Sequence, residues 1–201
     1  LIVSAENIGR AVSNADIVYI DPARRDSEGK KVFLIEDCTP DVLTLKDEIF
    51  KYSRHILIKL SPMADISMAC DRLGCTCREV HVVATGGECK ELLIWMDREW
   101  KDEYTVHAVE LNAESEAIFS FNPQKERECR ISYEQSSIIG IEAGSPYLFE
   151  PGKALMKAGA FNLIAERFTL KKLGKSTHYY ICSSTEEAES VRPYGKIFEI
   201  N

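Results

Sequence analysis

Asp21 and Pro22 follow directly on the apolar run Ile17-Val18-Tyr19-Ile20, and Ala23, Arg24, Arg25 and Asp26 come after them. Proline has no N–H for a sheet ladder, so a strand must end there. That puts the Asp21 carboxylate at the carboxyl end of a buried strand, the edge where open α/β sheets bind ligands. The alternative use of an Asp-Pro pair is to cap the turn that it opens. Arg24 and Arg25 bring two cations to the same place, for a substrate or for ion pairs with Asp26 or Glu36. A second constellation is Lys59-Leu60-Ser61-Pro62 with Asp65. Lys59, Ser61 and Asp65 are positioned to line a pocket on that edge; otherwise Lys59 pairs with an acid and Ser61 or Asp65 caps the next helix. Glu88, Lys90 and Glu91 lie at a hairpin, where Glu88 or Glu91 faces the same pocket or water. Cys89 has no histidine placed beside it and is not expected to be a nucleophile.

The elements that must carry these groups alternate. Residues 17–20 read as a buried strand. Thr39-Pro40-Asp41 opens a helix, with Thr39 as N-cap, Pro40 in the first turn and Asp41 at the positive end of the dipole. Val42, Leu43, Leu45, Ile49 and Phe50 form its apolar face. Residues 55–60 form a second strand, again stopped by a polar-proline pair. Residues 65–73 form a second helix, closed by Gly74. Residues 79–85 and 89–96 are strands separated by Gly86-Gly87-Glu88. That loop is too short for a crossover, so the two form an antiparallel hairpin. The first three strands are parallel by the crossover rule and the fourth reverses. Upstream, residues 1–5 read as the end of a short strand, 7–14 as a weak helical or loop segment and 26–31 as a loop.

The second half reads as an α+β module. Strands are expected at 104–111, 117–121, 138–142, 178–183 and 196–200, and helical segments at 154–158 and 161–168. Lys153, Lys157, Arg167, Lys171, Lys172 and Lys175 stand there against Glu150 and Glu166, with Tyr147, Phe149, Tyr179 and Tyr180 nearby. A basic stripe with aromatics suits RNA phosphates and unstacked bases. The other reading is a solvated helix face over an aromatic core. His178 fits an RNA contact or, equally, a structural histidine.

Bulk composition narrows the classes. The chain has 201 residues, 45% hydrophobic and 28% charged, an ordinary globular balance for one large domain or two small ones. A net charge of -7 leaves no global basic field, so a nucleic acid needs a local patch. No apolar run has the length of a membrane span, and no signal peptide is visible. Seven irregularly spaced cysteines argue for reduced thiols and a cytoplasmic setting. Cys75 and Cys77, with Cys70 nearby, lack a matching second pair, so no metal is expected. A start at Leu1 suits a fragment.

Taken together, Asp21-Pro22-Ala23-Arg24-Arg25, Lys59-Leu60-Ser61-Pro62-Met63 with Asp65, and Gly87-Glu88-Cys89-Lys90-Glu91-Leu92-Leu93 resemble segments of bacterial class I methyltransferases that carry a C-terminal THUMP-like domain. Leu148-Phe149-Glu150-Pro151, Lys157-Ala158-Gly159-Ala160-Phe161 and Gly195-Lys196-Ile197-Phe198-Glu199-Ile200 resemble that appended domain. The resemblance implies an α/β fold: the C-terminal half of a Rossmann-like methyltransferase sheet over residues 1–102, ending in the antiparallel hairpin, then a small α+β domain over 103–201. It implies S-adenosyl-L-methionine as cofactor and RNA as the expected acceptor. Asp21 and the Pro22 carbonyl take the catalytic places, accepting hydrogens from an exocyclic amine and aiming its lone pair. Ala23 stands where a second proline is usual. Arg24 replaces an aromatic, and its guanidinium can stack on a base or grip a phosphate. Arg25, Lys59, Ser61, Asp65, Lys153, Lys157, Lys171 and Lys172 complete the expected substrate-binding set. Two rival readings remain: a protein or small-molecule acceptor, and a non-catalytic RNA-binding module.

The resemblance also implies a Gly-rich loop after a first strand and an acidic residue after a second, for the cofactor, and the sequence has neither. Calorimetric titration of these 201 residues with S-adenosyl-L-methionine is therefore expected to show weak binding or none; a tight isotherm would restore a complete cofactor site to the chain.

Overall fold

The computed structural model describes residues 15–23, 35, 38–112, 115–131 and 147–200. The expected segments at 1–5, 7–14, 26–31 and 138–142 lie outside the described residues, as do Arg24 and Arg25. The chain divides into two compact units, residues 1–81 with 90–105, and residues 82–89 with 106–201. Its strands form a six-stranded mixed sheet and a four-stranded sheet.

In the first unit, β1 (Ile17–Ile20) is followed by α1 (Val42–Ile49), β2 (His55–Leu60) and α2 (Ile66–Leu73). The hairpin of β3 (Cys77–Thr85) and β4 (Glu88–Asp97) comes next, and the sheet order begins β1-β2-β4-β3. β1 and β2 are parallel, with Ile17 beside His55 and Ile20 beside Ile58. β4 inserts antiparallel to β2, with His55 opposite Asp97 and Lys59 opposite Leu93. Gly86 and Gly87 both have positive φ, 60° and 78°, which a two-residue primed turn demands.

Alternation sorts the side chains onto two faces. Ile56, Ile58, Leu60, Leu92, Ile94 and Met96 point to one face and are almost fully buried. The crossovers from β1 to β2 and from β2 to β3 step in the same direction. Right-handed connection therefore puts α1 and α2 on one face. Their buried stripes, Val42, Leu45 and Ile49, and Ala69, Cys70 and Leu73, supply its cover. Lys46 Nζ ties the helices by donating to the Leu73 carbonyl at 2.7 Å.

The caps correct one expectation. The N-cap of α1 is Asp41, not Thr39: its carboxylate accepts from the Leu43 and Thr44 N–H groups at 2.9 and 3.4 Å. Thr39 instead exchanges backbone hydrogen bonds with Ala23, at 2.7 and 3.1 Å. Leu43 is only half-buried, so the apolar face of α1 is narrower than the sequence pattern suggests.

The second unit contains β5 (Thr105–Leu111), β6 (Glu116–Phe121) and α3 (Pro123–Glu128), then β7 (Tyr147–Pro151), α4 (Lys153–Ala158) and α5 (Leu163–Arg167). It closes with β8 (Lys171–Lys172), β9 (Tyr180–Cys182), α6 (Thr185–Val191) and β10 (Gly195–Glu199). The four-stranded sheet runs β10-β7-β9-β8 and is antiparallel throughout. Phe119, Phe149, Leu155, Ile164 and Tyr180 lie in its core, and the Tyr180 hydroxyl donates to the Phe161 carbonyl at 2.7 Å.

Two carboxylates from the first part of this unit cap short helices. Glu126 on α3 accepts from the N–H groups of Phe161, Asn162 and Leu163 at 3.1, 2.7 and 2.8 Å, covering the start of α5. Glu110 on β5 accepts from Ala154 N–H at 2.7 Å, where Gly152 has no side chain to cap α4. A Cβ at Gly152 would collide with that carboxylate and with the Tyr194 carbonyl. Burial pushes the pKa of both glutamates upward against these bonds. Among the described residues no helix is long and apolar enough to cross a membrane.

Asp97 is the hub of a hydrogen-bond cluster in the first unit. Its side chain is 2% exposed and meets Arg54 through two hydrogen bonds, both 3.0 Å. Arg78 adds a contact at 3.3 Å and Glu99 N–H another at 3.0 Å. The Arg54 hydrogen bonds hold the Asp97 carboxyl well below the usual carboxylate range. A depressed folded-state pKa stabilises the fold above the unfolded value of about 3.9 and is lost as pH falls below it. Asp97→Asn is expected to cost about 2 kcal/mol in urea unfolding at pH 7. The gap between variant and wild type should begin to narrow as pH falls below about 4 and still be narrowing at pH 2, because the folded-state pKa lies lower still; a gap unchanged with pH would show that Asp97 acts through packing alone.

Candidate active site

β1 stops at Ile20 because Pro22 cannot extend its ladder, and Pro22 is buried while Asp21 and Ala23 remain exposed. The parallel register places Ile20 beside Ile58, so one step further Asp21 stands beside Lys59. The antiparallel register places Lys59 opposite Leu93, and two residues on Glu91 comes level with Ser61. Asp21, Lys59 and Glu91 therefore project from the face that α1 and α2 leave uncovered.

They meet. Lys59 Nζ lies 2.8 Å from Asp21 Oδ2 and 3.9 Å from Glu91 Oε2. Side-chain exposures of 48% for Asp21 and 30% for Lys59 leave the pair open to solvent on one side. The hydrogen bond to Asp21 raises the Lys59 pKa above its ordinary value, with the charges of Asp21 and Glu91 adding to it. Lys59 is thus an ammonium donor and not a base. Asp21 is the acceptor-bearing group, with Lys59 occupying one of the roughly four lone-pair directions of its carboxylate.

The other expected residues on this edge have local partners. Asp65 is the N-cap of α2, accepting from Met68 N–H at 2.9 Å and from the Ser67 hydroxyl at 2.7 Å. Ser61 Oγ accepts from Met63 N–H at 3.1 Å and shapes the turn before it. Asp21, Lys59 and Glu91 are brought together, whereas Ser61 and Asp65 are placed in the next turn. Glu91 was one of two candidates from the hairpin, and the strand register selects it.

In the second unit the basic residues separate. Lys153, Lys171 and Lys175 are exposed, and Lys157 is half-buried. Lys172 is 5% exposed, lies 5.8 Å from the Phe161 ring centroid, and has its pKa lowered by burial. Arg167 lies 3.9 Å from the Phe119 ring centroid and donates to the Ser120 carbonyl at 2.9 Å. The stripe is narrower than six residues, because a two-residue strand turns one lysine outward and the next inward. A groove of about 320 Å3 is lined by Lys153, Met156, Ser176, Thr177, His178 and Tyr179, among others. His178 stacks on Phe161 with centroids 3.9 Å apart, and burial lowers its pKa. This groove went unnoticed in the sequence because its residues come from two separate stretches.

The described residues do not fit a nucleotide cofactor. The glycines with positive φ are Gly74 and Gly159 after helices and Gly86 and Gly87 in the hairpin turn. None lies between a parallel strand and the helix that follows it, where a backbone cradle belongs.

Comparison with known proteins agrees with this layout. Residues 147–188 match a ferredoxin-like domain. The chain is also similar to a crystal structure of a candidate methyltransferase from Porphyromonas gingivalis W83, with 34% identity and a TM-score of 0.80. The alignment covers 98% of this chain but 45% of that one, so this chain spans less than half of its relative. No curated protein matches the sequence. The α/β reading with a small second module holds, with one correction: the six-stranded sheet does not end in the β3–β4 hairpin but runs β1-β2-β4-β3-β5-β6. The matched part of the second module is ferredoxin-like.

An ammonium held by Asp21 has a direct spectroscopic signature. In a nitrogen-detected titration, Lys59 Nζ is expected to hold its proton to higher pH in the wild type than in Asp21→Asn. A Lys59 titration that the substitution leaves unchanged would show that the pair does not persist in solution.

Proposed function

We propose that this chain is the acceptor-side portion of an S-adenosyl-L-methionine-dependent methyltransferase that modifies RNA in the cytoplasm, with residues 103–201 as a THUMP-like module that recruits the RNA. The observation that carries the reading is the Asp21–Lys59 pair. It sits at the carboxyl ends of two parallel strands, in a chain similar over 98% of its length to a candidate methyltransferase.

The chemistry follows from the pair. A nitrogen acceptor needs its lone pair aimed at the incoming methyl group, and a fixed carboxylate accepting its N–H does the aiming. The Pro22 carbonyl is the second acceptor in this reading. Lys59 anchors Asp21 from the side, which limits rotation of the carboxylate. The cofactor contacts belong to residues other than those described here, so this chain contributes orientation of the acceptor. Arg24 and Arg25 follow directly and are assigned to the base or its phosphate. In the second unit, Lys153, Lys157 and Lys171 supply phosphate contacts, and the groove beside Tyr179 offers an aromatic surface for an unpaired base. Lys172 is assigned to holding Phe161 in place beneath that surface.

The test is transfer of labelled methyl groups from S-adenosyl-L-methionine to total cellular RNA by the polypeptide as its gene encodes it. Ribonuclease-sensitive label is expected, and Asp21→Ala should reduce its rate by at least about 10²-fold. Label in protein or small molecules alone would move the acceptor class, and salt-sensitive RNA binding without any label would leave a binding module.

A further inference from the structure

One buried acid of the second unit is only half used. Glu110 on β5 is 9% exposed, and its Oε1 accepts from Ala154 N–H at 2.7 Å. Among the described residues no further hydrogen bond or ion pair reaches this carboxyl group. Burial raises its pKa, against the Ala154 bond and the charge of Lys153. A carboxylate taken out of water needs partners for its lone pairs, and leaving them empty is costly. Capping α4 occupies one oxygen and gives no reason for the other to be there.

Glu110 lines a cavity of about 170 Å3 within this unit. Asn112, two residues further on, lines it from the same side of the chain. Lys153 and Lys196 line it as well and are exposed, and Glu150 balances one of their charges. Pro151 and Pro193 add apolar surface. Bare backbone completes the wall where the end of β7 meets the start of β10, with Gly195 opposite Pro151. A Cβ at Gly195 would collide with the Glu150 carbonyl and lie 2.9 Å from the Gly152 nitrogen. The volume falls below the roughly 300 Å3 at which pockets for drug-sized ligands begin, and it suits one planar ring system.

We infer that this cavity binds a guanine nucleotide, with the base against Glu110 and the phosphate at Lys153 and Lys196. Guanine presents N1–H and its N2 amine side by side, two donors facing a carboxylate. Adenine and cytosine set a ring-nitrogen lone pair beside their amine, and uracil flanks its one N–H with two carbonyls. Each of these turns an acceptor toward Glu110, so repulsion rejects them. The Asn112 amide supplies a donor for guanine O6. Ammonium groups meet the phosphate, so no glycine-rich cradle is needed. A free nucleotide and an unpaired nucleotide of an RNA share this chemistry. The second source rests on the RNA reading proposed above; the first does not.

Equilibrium binding to the polypeptide as its gene encodes it tests the inference. The free probes are guanosine monophosphate and uridine monophosphate. The RNA probes are a pentanucleotide with one central guanosine among uridines and its all-uridine counterpart. The guanine probe is expected to bind at least about tenfold tighter than its uracil counterpart in one pair or both. A preference among the monophosphates assigns a free nucleotide, and one confined to the pentanucleotides assigns RNA. Glu110→Gln keeps an acceptor for Ala154 N–H and removes the charge. It is expected to abolish the preference with thermal unfolding near that of the wild type. Should that variant not fold, inosine in place of guanosine removes the N2 amine from the ligand and leaves the protein unaltered; weaker binding is expected. No binding of either guanine probe, equal binding of guanine and uracil, equal binding of inosine and guanosine, or a preference that survives Glu110→Gln would each overturn the inference. A guanine preference without methyl transfer would keep the cavity and discard the enzyme, and methyl transfer without the preference would discard the cavity alone.

Discussion

The register between β2 and β4 is the constraint on which the candidate site depends, and Asp97 holds it. Asp97 stands opposite His55 at one end of the pair, with its carboxylate bonded to Arg54, the residue just before β2. Backbone bonds continue the tie, from Asp97 N–H to the Thr76 carbonyl and from Arg98 N–H to the Arg54 carbonyl, at 2.9 and 3.0 Å. A slip of one residue in a strand moves every side chain to the other face. Such a slip would bury Lys59 and lift Leu60 into solvent. The pair at this end of the ladder joins a buried carboxylate to a half-exposed arginine, and the register that it helps to hold brings Lys59 and Glu91 to Asp21 at the other end.

What was legible in the sequence followed from steric rules that act over a few residues. The ends of β1 and β2 could be read because proline forbids continuation. The hairpin could be read because two glycines cannot hold a crossover. Misreadings arose where two local signals competed or where a signal was weak. Thr39 and Asp41 are both good caps, and the helix starts at whichever is followed by helical backbone; Thr39 was already paired with Ala23. At the start of α6 the Ser184 hydroxyl accepts from Glu187 N–H and the Glu187 carboxylate accepts from Ser183 N–H, a capping arrangement that goes unread beside a run of polar residues. β7 ends in Pro151, which reads more easily as the start of α4. β8 is two lysines long, and composition alone suggests two solvated side chains.

The site itself was partly legible for the same reason. Asp21 and Lys59 were each identifiable from a strand end, but their contact depends on register, which no short motif encodes. Lys59 was open to two readings, as a substrate ligand or as the partner of an acid. The structure shows the second, with Asp21 at the end of β1 as the acid. Ser61 and Asp65 went the other way. Their backbone partners lie two and three residues downstream, and local geometry of that kind outcompetes a distant ligand for a side chain already in place.

The face that carries the site holds two aspartates paired with cations, and burial separates their roles. Asp97 is 2% exposed, with a bidentate arginine, a second arginine and a backbone N–H around it. Its acceptor capacity is spent inside the protein, and an ion so enclosed has nothing left to offer a ligand. Asp21 is 48% exposed and meets one ammonium at 2.8 Å. A pair that open contributes at most about 1 kcal/mol to folding, so stability gives little reason for it to be there. The arrangement makes better sense as orientation: a lysine reaching along the sheet to steady a carboxylate at the end of a parallel strand, where a bound acceptor would take up the remaining lone pairs.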